Sequence, residues 1–349
     1  MPEINTSKSI SIDLIPVAHD EIDLAADRYV LKHAQGSVYH LAAWRNAITQ
    51  AYRQQCILLL AKQQNEIVGL LPLCIMSVPL RGNKLISLPF ADFCSVLADS
   101  TLIREQLLQA AIALLPSYKA SQLDLRESVA LPNLQEPPSN TDTAGPNKVR
   151  MLVQLAESAE VLLASYKPKL RSQIKKAQKN GLTAEISDST SALKDFYQVY
   201  SKNMHRLGSP VHNFQWFSCL TQQLAAKQAF KVVLVRSDKQ VIGAGLVLHC
   251  GKQAVIPWAS TVAEFNHLAP NMLLYWQIQA YLADAGFSVF DMGRSTIGEG
   301  TYRFKTQWGA QPEELCWHAY NAQSEAIPLS GVPSGKTRAV AEKIWRLLP

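Results

Sequence analysis

Residues 293–310 read GRSTIGEGTYRFKTQWGA, and they put Arg294, Ser295, Tyr302, Arg303 and Lys305 on one glycine-rich turn directly after the apolar run SVF. Glycines let backbone approach a ligand closely. In open α/β sheets, ligands gather outside the carboxyl ends of strands. Cations and a phenol at such a place suit attack of a neutral amine on an activated ester or thioester. That reaction needs positive charge or N–H groups for the developing oxyanion, an acceptor for the amine proton, and charge for phosphates on either reactant. Lys305 is the first candidate for the oxyanion or phosphate role, with Arg294 beside it and Tyr302 as a proton relay. Ser295 and Arg303 join as substrate contacts. The turn from Gly293 to Gly300 is expected to bring Arg294 and Lys305 to one pocket lined by Tyr302. A short helix should start at Thr301 and end at Trp308-Gly309, with Phe304 and Trp308 packed inward. Lys305 is read as an exposed cation on the first turns of that helix.

Two further stretches carry cations. In YKPKLRSQIKKAQKNGL, residues 166–182, Pro168 suits a first helical turn and Gly181 a C-terminal cap. Leu170, Ile174 and Ala177 share one face, and Arg171, Lys175 and Lys179 share another. The basic face is either solvated or a ridge for phosphate or RNA, and the pattern alone leaves both readings open. In NMHRLGSPVHNF, residues 203–214, a helix should end at Gly208, with His205 and Arg206 in its last turn, where they complement the helix dipole. Arg171, Lys175 and Arg206 are assigned to phosphate or RNA-backbone contacts; Ser209, Trp258 and Asn271 are further substrate contacts. Asp92 follows SLPF at a strand end in the other half of the chain. It is a candidate general base, with a loop or capping role as the alternative.

The elements that must position these groups come in two sets. At 349 residues the chain exceeds what one core usually supports. Residues 131–148, LPNLQEPPSNTDTAGPNK, hold four prolines and read as a linker or long exposed loop. They separate a first domain, 1–130, from a second, 149–320, followed by a tail, 321–349, with a short helix. The two halves repeat one order: a hairpin (ILLLAKQQNEIVGLLPLCIMS; FKVVLVRSDKQVIGAGLVLHC), a third strand (LISLPF; AVIPWAS), a helix (IREQLLQAAIALL; NMLLYWQIQAYLADAG) and a last strand (SQLDLR; SVFDMG). Aligning Gly69 with Gly243 also aligns Val68 with Ile242. Each half is therefore expected to be α/β (α+β), a mixed, largely antiparallel sheet flanked by helices, since hairpins give antiparallel pairs and the helical crossover a parallel one.

Composition narrows the class. Hydrophobic residues make up 48% and charged residues 18%, a globular balance. The net charge of +6 suits an anionic ligand without requiring nucleic acid. The N-terminal MPEINTSKSISIDLIP lacks a secretory pattern, and no apolar run reaches membrane-span length, so a cytoplasmic location is expected. None of the six cysteines forms a C-x-x-C pair. Reduced, buried thiols are expected, and no metal.

The motifs L-R-x-x-I-K-K-A-x-K-x-G-L, R-L-G-S-P-V and F-D-M-G-R-S-T-x-x-x-G-T-Y-R-F-K-x-x-W-G-A, with V-G-L-L-P-L, S-L-P-F and Leu125-Arg126 earlier, resemble the FemAB-related branch of the GNAT acyltransferases. The nearest resemblance is to FemAB-like proteins associated with exosortase and PEP-CTERM exopolysaccharide systems, over roughly residues 40–320. It implies two tandem GNAT-like domains and transfer of an acyl or aminoacyl group to an amine, as in peptidoglycan cross-bridge synthesis. No cofactor is bound tightly; aminoacyl-tRNA or acyl-CoA serves as co-substrate. The acceptor would be a small molecule or a lipid- or nucleotide-linked saccharide, with charged tRNA a candidate partner and peripheral membrane association open. One departure stands out: the glycine-rich phosphate loop of acetyl-CoA-dependent GNAT enzymes is replaced by NHLAPNMLLYW, which has no glycine. Free acetyl-CoA is therefore expected to bind weakly. The alternatives are a non-catalytic GNAT pair holding a nucleotide-linked sugar or a partner protein, and an acyl-CoA-dependent N-acetyltransferase acting on an amino sugar.

Overall fold

A computed structural model describes residues 9–16, 20–78, 82–128 and 148–329. The proline-rich stretch, apart from Lys148, and the helix expected in the tail lie outside the described residues. In chain order the elements are β1 (Ile10–Pro16), α1 (Asp20–Lys32), α2 (Ala42–Tyr52), β2 (Cys56–Gln63), β3 (Glu66–Val78), β4 (Gly82–Ile86), β5 (Leu97–Ala98), α3 (Thr101–Ala113) and β6 (Ala120–Glu127). Then follow β7 (Lys148–Gln154), α4 (Ala159–Ser165), α5 (Pro168–Lys179), β8 (Leu182–Ser187), α6 (Thr190–Leu207), α7 (Phe214–Ala225), β9 (Phe230–Ser237), β10 (Gln240–Cys250), β11 (Gln253–Thr261), α8 (Pro270–Asp284), β12 (Val289–Thr296) and α9 (Gly300–Thr306). The strands β13 (Gln311–Glu314), β14 (Cys316–Tyr320) and β15 (Ala326–Ile327) close the series.

Two units result. In the first, the sheet order is β1-β2-β3-β4-β6-β14-β15, with β5 against β3; in the second it is β13-β7-β12-β11-β10-β9-β8. The pair β4–β6 is parallel, and so is β11–β12. In each case one helix, α3 or α8, makes the crossover, as a parallel pair requires. In the first unit, Ile103, Leu107, Leu108, Ala111 and Ile112 of α3 join Leu71, Leu73 and Leu85 of the sheet in one buried cluster. In the second, α6 and α8 both pack on β9, β10 and β11.

The division differs from the sequence expectation at one end. Residues 316–320 belong to the first unit, where β14 runs antiparallel to β6 from Cys316↔Glu127 to Tyr320↔Leu123. A five-residue strand carries no local sign of a partner so far back in the chain. The helix α7 is absent from the sequence expectation; its start is capped by Asn213 accepting from the Trp216 N–H at 2.9 Å.

The internal repeat extends to a shared irregularity. In β2–β3, Ala61 pairs with Gly69 and Lys62 with Ile67, so Val68 is the extra residue of a bulge. In β9–β10, Val235 pairs with Gly243 and Arg236 with Val241, so Ile242 is the extra residue. Each glycine sits beside its bulge and faces a neighbouring element. A Cβ on Gly69 would lie 2.7 Å from Ile103 Cγ2 and 2.9 Å from Leu107 Cδ1 of α3. A Cβ on Gly243 would meet Thr261 Cγ2 and Val235 Cβ at 3.3 Å and Pro270 Cβ at 3.6 Å.

The two positions should therefore respond differently. Gly69→Ala is expected to lower stability by about 1–3 kcal/mol, the range of overpacking in a filled core, and Gly243→Ala by less. Urea unfolding of the two variants, monitored by circular dichroism, checks the order.

Candidate functional site

In the second unit, β11 and β12 pair over only three positions, Gln253↔Val289, Ala254↔Phe290 and Val255↔Asp291. Beyond Asp291 the parallel ladder stops, and β12 continues to Thr296 against β7 alone. Its register on β7 shifts between Asp291 and Arg294, and Gly293 takes a left-handed φ of 77°. The Gly293 N–H donates to Asp291 Oδ1 at 2.7 Å, while Asp291 Oδ2 lies 3.8 Å from Arg150 Nη1. Lys305 reaches this irregular segment. Its Nζ donates to the Gly293 carbonyl at 2.9 Å and to the Arg294 carbonyl at 2.9 Å.

Lys305 is thus buried, at 7% exposure, and not the exposed cation read from the sequence. The helix α9 spans Gly300–Thr306, so Lys305 lies in its last turn and not its first. A helix dipole there does not add to an anion site. The expectation of inward packing by Trp308 and Phe304 agrees with the structure. Trp308 is 1% exposed and meets Tyr166 edge-on, and Phe304 is half-buried against Tyr275 at 5.1 Å between ring centroids.

A separate cavity of about 320 Å³ lies between α5 and α9, lined in part by Lys167, Lys169, Gln173, Tyr302 and Arg303. Tyr302 lines it; Arg294 and Lys305, expected at the same pocket, do not. On a short helix, residues 302, 303 and 306 face one side and 304, 305 and 308 the other. The stretch therefore serves two places: Arg294 and Lys305 at the strand bulge, Tyr302 and Arg303 at the cavity. Lys167 and Lys169, which precede the basic face singled out in sequence, line the cavity together with Arg303. Their position on the first turn of α5 beside Pro168 was the available signal. Arg171 is half-buried, and Lys175 and Lys179 are exposed; none of the three lines the cavity.

The remaining candidates are dispersed. Exposed Arg206 donates to Asn203 Oδ1 at 3.0 Å, and Asn203 donates to Ser260 Oγ of β11 at 3.2 Å. Ser209 is half-buried, and its N–H donates to the Met204 carbonyl as α6 ends at Gly208. Trp258 is buried in an aromatic group, edge-on to Phe217 at 5.0 Å and to His212 at 6.0 Å. His212 is not among the candidates the sequence offers. Burial among these rings pushes its imidazole down from 6.5 to about 4. Asn271 is exposed at the start of α8, where Ala269 takes a left-handed φ of 63° before Pro270. Ser295 is buried, and its Oγ has no hydrogen-bond partner among the described residues. Asp92 lies in the first unit, half-buried, with its carbonyl accepting from Trp317 Nε1 at 3.0 Å. Among the described residues, no group of His, Cys, Asp or Glu could hold a metal ion.

Residues 164–306 match the family model "Acetyltransferase (GNAT) domain". The second unit carries this domain, and the protein is an acyltransferase. No curated protein matches the chain in sequence. Among solved structures, the crystal structure of FemX is similar with a TM-score of 0.70 at 16% identity, covering 88% of this chain and 97% of that one. A tandem GNAT protein from the clavulanic acid biosynthesis pathway is similar with a TM-score of 0.56 at 10% identity, covering 89% and 99%. The C-terminal domain of a putative lysylphosphatidylglycerol synthetase from Agrobacterium fabrum gives 0.55 at 14% identity, covering 94% and 96%. At these identities the likeness is one of fold: two tandem GNAT-like domains.

Three outcomes follow from the site's geometry. Lys305→Met should lower stability by about 1–3 kcal/mol, because buried carbonyls lose their donor. Ser295→Ala should be neutral or slightly stabilising, because it removes a buried hydroxyl without a partner. Chemical denaturation of both variants reads the difference. Between pH 4 and 6.5 the unfolded chain protonates His212 while the folded one does not, so stability falls on acidification through that window and is retained above it. Burial also lowers His249 and His318, in the same direction. His212→Phe should therefore flatten, without abolishing, the dependence of Tm on pH in that window.

Proposed function

We propose that the protein transfers an acyl or aminoacyl group onto an amine of a cell-envelope or exopolysaccharide precursor. The observation that carries this reading is a buried ammonium fixed at the strand end where the GNAT-matching unit's parallel ladder stops. Charge held at a fixed position stabilises a developing oxyanion without reorganisation at the moment of reaction. The amine nitrogen attacks the carbonyl carbon of the donor, the carbon–oxygen or carbon–sulfur bond to the carrier breaks, and an amide forms. The carrier leaves with the proton that the amine loses. In this reading Lys305 and Arg294 supply charge to the oxyanion, and Tyr302 relays the proton; Asp92 is the proposed acceptor to be checked by Asp92→Asn. Tyr302, Arg303, Lys167 and Lys169 offer the cavity's phenol and cations to a phosphate of donor or acceptor, and Arg171, Lys175 and Arg206 extend the positive surface. Ser209, Trp258, Asn271 and Ser295 remain proposed substrate contacts.

An aminoacyl donor fits better than free acetyl-CoA. The helix α8 begins at Ala269-Pro270 without glycine, and proline offers no N–H to a pyrophosphate. One similar structure is of a putative lysylphosphatidylglycerol synthetase, whose name gives an aminoacylated phospholipid as product. The motif resemblance to FemAB-like proteins of exosortase and PEP-CTERM systems favours a saccharide-linked acceptor handled in the cytoplasm. No described helix is long and apolar enough to cross a membrane. The same glycine-free helix start favours a second reading, a binding module for a nucleotide-linked sugar.

Calorimetry separates the donors: charged tRNA should bind and acetyl-CoA should not, and micromolar acetyl-CoA binding would sink the aminoacyl reading. Amine-dependent discharge of labelled aminoacyl-tRNA then separates enzyme from binding module. Lys305→Ala should slow it by about two to three orders of magnitude, in the range of losing one oxyanion donor. Folded protein must be confirmed by circular dichroism, since the substitution also removes a buried contact. Full turnover by folded Lys305→Ala would refute the assignment.

A further inference from the structure

Two cysteines of the first unit face each other across a strand pair. Cys56 of β2 and Cys74 of β3 are direct partners in the antiparallel register. The adjacent pair, Gln55 and Ile75, is a hydrogen-bonded one, with the Ile75 N–H donating to the Gln55 carbonyl at 2.8 Å. Paired positions alternate along an antiparallel ladder, so Cys56 and Cys74 occupy the close, non-hydrogen-bonded kind, with Cα atoms about 4.5 Å apart. That separation lies within the range a disulfide spans, roughly 4.4–6.8 Å. Among the described residues, the other four cysteines have no cysteine as a strand partner.

The surroundings are unusual for two inert thiols. Both side chains are fully buried. The guanidinium of Arg45, on α2 and also fully buried, acts electrostatically on Cys56. Its Nη2 donates to Asp23 at 2.8 Å, while its Nε and Nη1 have no hydrogen-bond partner among the described residues. The facing Cys74 and the charge of Arg45 hold the Cys56 thiol below its ordinary value, and Cys74 is pushed up in turn by Cys56. The thiolate is the reactive form of cysteine, and adjacent cations favour it.

We propose that Cys56 and Cys74 are a reversible oxidation site that closes into a disulfide across β2 and β3, with a peroxide as oxidant. The Cys56 thiolate attacks one peroxide oxygen; the O–O bond breaks, and the departing hydroxide is protonated to water. The sulfenic acid so formed is attacked by the Cys74 sulfur. An S–S bond forms, the S–O bond breaks, and a second water leaves. Two electrons pass from the sulfur pair to the peroxide, and a dithiol reductant restores both thiols.

The test uses the full chain treated with hydrogen peroxide, then alkylated in denaturant and digested for mass spectrometry. A Cys56–Cys74 linked peptide that disappears with dithiothreitol is the expected result. Complete alkylation of both cysteines after peroxide, or a link that joins either one to another cysteine, would overturn the proposal. A sulfenic-acid probe gives a second reading. Cys74→Ser should accumulate adduct at Cys56 faster than Cys56→Ser does at Cys74, because the Arg45 charge acts on Cys56 and favours its thiolate. Equal or reversed rates would remove Cys56 as the attacking thiol.

Discussion

The contact between Lys305 Nζ and the carbonyls of Gly293 and Arg294 governs how β12 ends. Up to Asp291 the strand has neighbours on both sides; after it, one parallel partner is lost and the register on β7 slips. Carbonyl groups of such a segment need donors, and a buried ammonium needs acceptors. Each requirement meets the other. Trp308 and Phe304, packed on Tyr166 and Tyr275, fix α9 so that the lysine stem points at the bulge. A lysine held this way loses rotamer freedom on folding, and not on binding a reactant. That is the condition under which one charge acts on a transition state with little reorganisation.

A second constraint recurs in both units. Val68 and Ile242 are extra residues in equivalent hairpins, and each is followed by a glycine that leaves room for a neighbouring side chain. Bulges bend strands and sharpen twist. Keeping the same one in two copies means that the sheet's curvature, and not merely its strand order, is part of what was duplicated.

The repeat made the fold legible in the sequence: hairpin, third strand, helix and last strand occur twice, with turn residues between. The helix α5 was legible too, since Pro168, Leu170, Ile174, Ala177 and Gly181 all sit where periodicity and capping put them. The site was legible only as residue types. Arg294, Tyr302, Arg303 and Lys305 lie within twelve residues, yet the helical turn splits them between a bulge and a cavity. Sequence spacing alone does not say on which side of a seven-residue helix a lysine folds back. Nor did it mark Lys305 as buried, because the acceptors that make burial tolerable are backbone carbonyls, which every residue carries. The affiliation of β14 was invisible for a similar reason: pairing with β6 is decided by long-range geometry and not by the composition of CWHAY.

The return of β14 to the first sheet bears on how the chain is made. On the ribosome, β6 emerges long before its neighbour: Cys316 follows Glu127 by about 190 residues, on the order of ten to forty seconds of synthesis. Throughout that interval one edge of the first sheet offers unpaired N–H and C=O groups, a template for unwanted strand addition. The later half, whose β7 to β12 are already complete, can fold while the earlier half still waits for its last strand. A nascent chain that has completed β6 but not residue 316 thus exposes the edge of β6 that β14 covers in the finished protein.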